Sequence, residues 1–320
     1  MWRSLVAHLT GGQGVAGSNP VIPTGKGPET RKSLRPFSFG SNRQPLQNPS
    51  RWPICQYVGV HWFIVDETNR DYAANHFFIV GGLVFTEAQV EPVDQAVRQI
   101  RERYGYEQGD SFKFDTRARP AQVSIADSTA AKGEVITALQ DIGVRMITYV
   151  ILHDLCMNQT YDVRMNYALN TLAYAYHSLL AEERASGVML MDRDNDRYTH
   201  LESLFQTGLR FSGRTFRLDQ RIKLFGMTND NASHLSSASD IALGAFRYCV
   251  NTVGGWGRDA VARGMFPAVS SLLWGVEQGD RRRIGGYGFH ARPNRVGKPE
   301  FKELYAALTT GLMAYANAED

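Results

Sequence analysis

The sequence predicts an α/β fold: a mixed sheet with helices on both faces. β-rich runs at 58–65 and 76–85 lie close enough to pair as antiparallel neighbours across a loop at 68–75. Farther on, short apolar runs alternate with segments of helical period, as parallel strands joined by crossovers do. At 320 residues and 43% hydrophobic, the chain is long enough to bury one large core.

Val58, Val60, Trp62, Phe63, Ile64 and Val65 make the first strand. The second is interrupted by Gly81-Gly82. A helix over 87–104 follows from Val90, Val93, Val97 and Ile100, spaced by three and four. Ser111-Phe112-Lys113-Phe114-Asp115 reads as a short extended piece and 128–141 as a second helix. Segment 144–152 reads as a buried strand, 162–185 as a long helix and 188–191 as another buried strand. A helix over 199–209 starts at Thr199, which with Glu202 has capping-box spacing. Segment 221–227 resembles a further strand, and 233–250 a helix carrying Asp240. There is no internal repeat.

Residues 1–57 are rich in Gly, Pro, Ser, Asn and Gln without sustained periodicity, and read as a disordered leader before a domain spanning 58–320. Leu5-Val6-Ala7-His8-Leu9-Thr10 through Gly17-Ser18-Asn19-Pro20-Val21 resembles the translation of the 3′ half of a transfer-RNA gene. The start is therefore expected to be misassigned, the true chain opening near Val58 or Val60; no methionine lies between Met1 and Met146. A gene abutting a transfer-RNA gene fits a mobile-element or defence setting. The leader holds seven basic residues against Glu29, so the +3 of the whole chain becomes −3 for the rest, which argues against a globally basic nucleic-acid binder. No apolar stretch reaches the about 18 residues that span a bilayer, so a cytoplasmic protein without membrane association is expected. Cys55, Cys156 and Cys249 have no paired spacing, which leaves reduced, buried thiols and points any catalytic metal toward a hard cation.

The chemistry concentrates in scattered carboxylates. Asp66 ends the first strand, sharing a face with Trp62 and Ile64, whereas Glu67 shares the other with Phe63 and Val65. Asp192 ends a buried strand. Asp194 and Asp196 after it imitate a calcium loop, which fails because Arg197 and Ser203 occupy its glycine and acid positions. Asp240 lies among Ser236, Ser237, Ala238 and Gly244, small residues that let a helix approach a sheet closely. Carboxylates converging from strand ends and a facing helix could hold two divalent ions about 4 Å apart for phosphodiester cleavage. His153 and Asp154 read as loop residues. Arg281, Arg282, Arg283, Arg292, Arg295, Lys298 and Lys302 interleave with Tyr287, Phe289 and His290 in a glycine-rich loop, as a nucleic-acid contact requires.

Over roughly residues 58–253 these signals together resemble a bacterial domain usually called DUF3800, which has a ribonuclease H-like fold. Its Asp-Glu-Ser-Gly turn corresponds to Asp66-Glu67-Thr68-Asn69, its Glu-Leu-Lys segment to Ser111-Phe112-Lys113, its strand-ending acid to Asp192, and its Gln-x-Ala-Asp helix to Ser237-Ala238-Ser239-Asp240. Ser111 replaces an acid of the family, for which Asp110 or Asp115 would have to compensate. The resemblance implies nuclease-like chemistry, with Lys113 near a phosphate. The expectation is a metal-dependent hydrolase of DNA or RNA, in which Asp66, Asp192 and Asp240 bind Mg²⁺ or Mn²⁺ and Glu67 and Lys113 assist. The alternatives are a catalytically degenerate module of the same fold that binds nucleic acid or protein, and an enzyme acting on a small phosphorylated molecule.

Overall fold

A computed structural model describes residues 59–211, 213–229, 232–278 and 281–317. The leader, with the disorder and start-site expectations that fall on it, lies outside the described residues. Strands β1 (Val60–Thr68), β2 (Phe77–Thr86) and β3 (Arg145–Leu152) form an antiparallel meander, with α1 (Glu87–Arg103) and α2 (Ile125–Ile142) between the second and third. Next come α3 (Tyr161–Glu182), β4 (Ser186–Asp192), α4 (Asn195–Thr207), the small hairpin β5 (Leu209–Phe211) and β6 (Arg214–Phe216), and β7 (Ile222–Thr228). Helices α5 (His234–Val253) and α6 (Asp259–Leu272) precede a second hairpin, β8 (Val276–Gln278) with β9 (Arg281–Arg283). Strand β10 (Phe289–Arg292) and α7 (Pro299–Ala316) complete the chain.

The central sheet has the order β10-β3-β2-β1-β4-β7, with β4 parallel to β1, β7 parallel to β4, and β10 parallel to β3. Only β2 runs against the others, so five strands end at one edge. Two apolar layers flank the sheet. Ile64, Leu83 and Phe85 pack with α1, α2, α5, α6 and α7 on one side; Phe63, Val65, Met189 and Met191 pack with α3 and α4 on the other. The expected mixed sheet covered on both faces is thus what the chain forms.

Strand β1 is held from both faces by hydroxyls that enter the sheet. On the α5 side Ser239 donates to the Ile64 carbonyl at 2.9 Å and accepts from the Leu83 amide at 3.3 Å, bridging the partners Ile64 and Leu83. Beside this bridge β1 and β2 are in close contact, and a Cβ on Gly82 would stand 1.7 Å from the Ile64 carbonyl oxygen. On the α3 side the buried Tyr176 hydroxyl donates to the His61 carbonyl at 2.8 Å, and a Cβ on Gly187 would meet that hydroxyl at 1.9 Å. At this amino-terminal end of β1, His61 and Arg145 both bind Glu183. Burial opposes ionisation of Glu183, yet hydrogen bonds from His61 and Arg145 prevail and pull its carboxyl down to about 2.

Two sequence expectations change. Helix α4 begins at Asn195, not Thr199, because the Asp194 carboxylate caps it by accepting from Asp196 N at 3.0 Å. Arg197, unusable in a calcium loop, is buried and pairs with Asp162 and Asp194. The region from 281 to 302 is no single loop: it holds β9, β10 and the start of α7. Among the described residues, no helix is long and apolar enough to cross a membrane.

Ser239→Ala should cost about 1–3 kcal/mol by removing two buried hydrogen bonds to the sheet backbone, and Gly82→Ala about 3 kcal/mol or more through backbone overlap, both read from urea unfolding midpoints. Because Glu183 ionises near 2 rather than at its ordinary 4.5, its contribution is complete above 4.5 and disappears as pH falls toward 2. Wild type should therefore lose unfolding free energy across that window more steeply than Glu183→Gln.

Candidate active site at the carboxyl ends of the strands

Three rows of side chains cross β1, β4 and β7 on the face toward α5. Trp62, Val188 and Leu224 pair in the first row, and Ile64, Leu190 and Gly226 in the second. One step beyond the β1–β4 pair Val65 and Met191 stand Asp66 and Asp192, the latter paired with Thr228. Adjacent strands lie about 4.8 Å apart, so these two aspartates are neighbours at the ends of parallel strands. Each turns one oxygen back to the next backbone amide at 2.8 Å: Asp66 to Glu67 N, Asp192 to Arg193 N.

Glu67 points to the other face, as alternation requires. Its Oε1 accepts from the Tyr161 hydroxyl at 3.0 Å and lies 3.5 Å from Arg70. Burial raises its pKa, and the charges of Asp192 and Asp194 add to the rise against the pull of Tyr161 and Arg70. The Tyr161 ring is flanked by Arg70 at 4.5 Å and Arg197 at 5.8 Å.

Asp240 is bound differently. Its Oδ2 accepts from the Phe114 amide at 2.6 Å, while Lys132 Nζ donates to the Phe114 carbonyl at 3.0 Å and to Thr116 Oγ1 at 3.3 Å. Phe114 lies so close to α5 that a Cβ on Gly244 would be 2.3 Å from its own Cβ. Asp240 therefore pins the segment that carries Lys113, which is half-buried. Arg247, two turns further along α5, donates to Thr68 Oγ1 at 3.1 Å and reaches the Phe114 ring.

The three expected ligands do not form one ion-binding group: among the described residues, no set of three or more His, Cys, Asp or Glu is disposed to hold a metal. Neither acid beside Ser111 fills the gap. Asp110 accepts from Glu107 N and Gln122, and Asp115 is held by Arg117, whose hydrogen bonds depress its pKa. His153 is a loop tie, its two ring nitrogens bonded to Asn69 O and Arg164 at 2.9 Å, and burial lowers its pKa. Asp154 likewise accepts from Asn75 N and the Tyr72 hydroxyl.

The basic residues are divided. The β8–β9 hairpin joins the sheet through Trp274, whose amide donates to Met146 O near the start of β3, so Arg281, Arg282 and Arg283 lie toward the edge opposite Asp66 and Asp192. Arg282 donates to Ser271 O, and Arg283 stacks on Tyr287 at 6.0 Å. Arg292 ends β10 at the acid edge, but its guanidinium is turned to Ala291 O, Asn294 and His290. Arg295 is exposed beyond it.

Sequence reading missed Arg247, Lys132 and Tyr161. Arg247 was visible in principle, since residues 240, 244, 247 and 251 form one helical stripe. Comparison with family models, curated proteins and solved structures finds no match to this chain.

Glu67 offers a direct check on this electrostatic arrangement. Asp192→Asn should lower its pKa, whereas Tyr161→Phe should raise it further, as read by carboxyl-carbon NMR titration.

Proposed function

We propose that the chain is a metal-dependent hydrolase of nucleic-acid phosphodiesters on a ribonuclease H-like sheet. The observation that carries this reading is the side-by-side placement of Asp66 and Asp192 at the ends of adjacent parallel strands. An antiparallel hairpin leading into parallel strands that alternate with helices supports the fold assignment.

The donor set fits a hard cation. Mg²⁺ is commonly held by one or two carboxylates, with water and substrate phosphate oxygens completing its shell. Asp66 and Asp192 suffice for such an open site. When bound, Mg²⁺ or Mn²⁺ would supply charge neutralisation at the phosphate and activation of water. Glu67, whose proton affinity is raised by burial, would assist by holding or passing a proton. Asp240 would act by fixing the segment that places Lys113, the cation assigned to the phosphate.

A binding module of the same architecture that lacks catalysis is the second reading. It is favoured by the engagement of Asp240 with a backbone amide and by the lack of a three-acid group among the described residues.

Calorimetric Mn²⁺ titration of the full chain, beside Asp66→Asn and Asp192→Asn, separates the two. The hydrolase reading expects binding in wild type, its loss in both variants, and a fall in cleavage of a labelled oligonucleotide on the order of 100-fold. A folded wild type that takes up no Mn²⁺ would hand the site to the binding-module reading.

A further inference from the structure

The sheet edge that carries Asp66 and Asp192 also carries the exposed aromatics of two neighbouring loops. Strand β1 ends at Thr68, and the loop to β2 contains Arg70, Tyr72 and His76. The other loop follows α5: Asn251 accepts from the Asn69 side chain at 3.1 Å, and Trp256 N donates to the Asn251 carbonyl at 2.9 Å. Trp256 thus sits beside the end of β1. At about 3.3 Å per residue, Asn69 lies roughly 10 Å along the chain from Asp66.

Trp256 is 60% exposed and Tyr72 51% exposed. Neither is a side chain left over from the core. Trp256 is flanked by Gly255 and Gly257, both at positive φ, and the Tyr248 hydroxyl accepts from the Arg258 amide at 2.9 Å to fix the turn. The His76 ring packs edge-on against the indole at 4.8 Å, and its buried Nε2 has no hydrogen-bond partner among the described residues. The indole is therefore braced on its inner side and open on its outer side. Tyr72 is braced similarly, edge-on to His153 at 6.0 Å and through its hydroxyl to Asp154 at 3.1 Å.

Cations accompany the rings. The side chain of Arg70 is 60% exposed, and Arg258 next to the Trp256 turn is exposed. The arginine ribbon of β9 lies toward the opposite edge of the sheet, where it cannot help hold a strand that enters the acid site. Two rigid, exposed aromatics with arginines beside them are what an unpaired polynucleotide uses: bases stack on the rings and phosphates meet the guanidinium groups.

We propose that Trp256 and Tyr72, with Arg70 and Arg258, form a stacking surface that binds a single-stranded polynucleotide and leads it to the strand ends carrying Asp66 and Asp192. The surface deepens the hydrolase reading by naming its substrate class: unpaired strands, recognised without regard to base identity. A duplex keeps its bases stacked on one another and is the poorer ligand.

The test is fluorescence anisotropy with a labelled oligothymidylate, using the full chain in chelator so that metal and turnover play no part. Stacking is worth about 1–3 kcal/mol per base, so Trp256→Ala should weaken binding by roughly 5- to 150-fold. Trp256→Phe should restore most of the loss, and Tyr72→Ala should weaken binding less than Trp256→Ala. The triple replacement of Arg281, Arg282 and Arg283 by alanine should leave affinity within about twofold. Unchanged affinity in Trp256→Ala, or a loss confined to the triple arginine variant, overturns the proposal.

Two further outcomes separate this surface from the hydrolase reading. A protein that hydrolyses bis(p-nitrophenyl) phosphate with Mn²⁺ but does not bind the oligonucleotide keeps the metal site and loses the surface. Trp256-dependent binding in a protein that takes up no Mn²⁺ keeps the surface and removes the hydrolase.

Discussion

The insertion of side-chain hydroxyls into the hydrogen-bonding planes beside β1 is the constraint on which the rest of the structure depends. A buried backbone amide or carbonyl without a partner is costly, and at Ile64 and Leu83 the partner is Ser239. Gly82 keeps the Ile64 carbonyl clear of a side chain from β2, and Tyr176, given room by Gly187, bonds the backbone across β1 and β4. Helices α5 and α3 are thereby fixed to one strand by directional bonds as well as by apolar contact, so their positions along β1 are set. Since Asp66 and Glu67 are the next residues of that strand, the site inherits the same precision.

From that anchorage follows a division of labour between the two faces. Asp66 and Asp192 lie on the α5 side, whereas Glu67 meets α3 through Tyr161. Close packing of α5 also explains why Asp240 lies within reach of the Phe114 amide. A helix with larger residues at positions 237, 238 and 244 would stand farther off and leave the 111–115 segment without its anchor. The acid that sequence reasoning placed among metal ligands thus spends at least one oxygen holding a loop in register with the strand ends.

Much of the fold was legible because its signals are local. Alternation along β1, the three-and-four spacing of Val90, Val93, Val97 and Ile100, and the small-residue face of 236–244 each name an element and a buried side. Helices α6 and α7 went unread, although Leu304, Leu308, Leu312 and Tyr315 stand in helical spacing; in α6, Pro267 interrupts the pattern. The site was half legible. Asp66 and Asp192 could be named because apolar strands end on them, but their adjacency depends on the parallel pairing of β1 with β4, which joins segments more than 100 residues apart. The role of Asp240 was hidden for a similar reason, because its partner is a backbone amide and backbone amides carry no sequence signature. Arginines 281–283 and 292 looked like one patch only because they are near in sequence; the strand between them carries the chain from one edge of the sheet toward the other.

The row formed by Trp62, Val188 and Leu224 ends at β7, the outermost strand, where Leu224 is 54% exposed. An open strand edge beside uncovered apolar side chains is a template for pairing with other chains. Lys223, adjacent on that strand and tethered to Asp219 O and Gln220 O, sets a charge at the vulnerable place. Lys223 thus guards this edge against association without taking part in the core or the chemistry, and neutralising it would show first as turbidity at high concentration, with the folding equilibrium little changed.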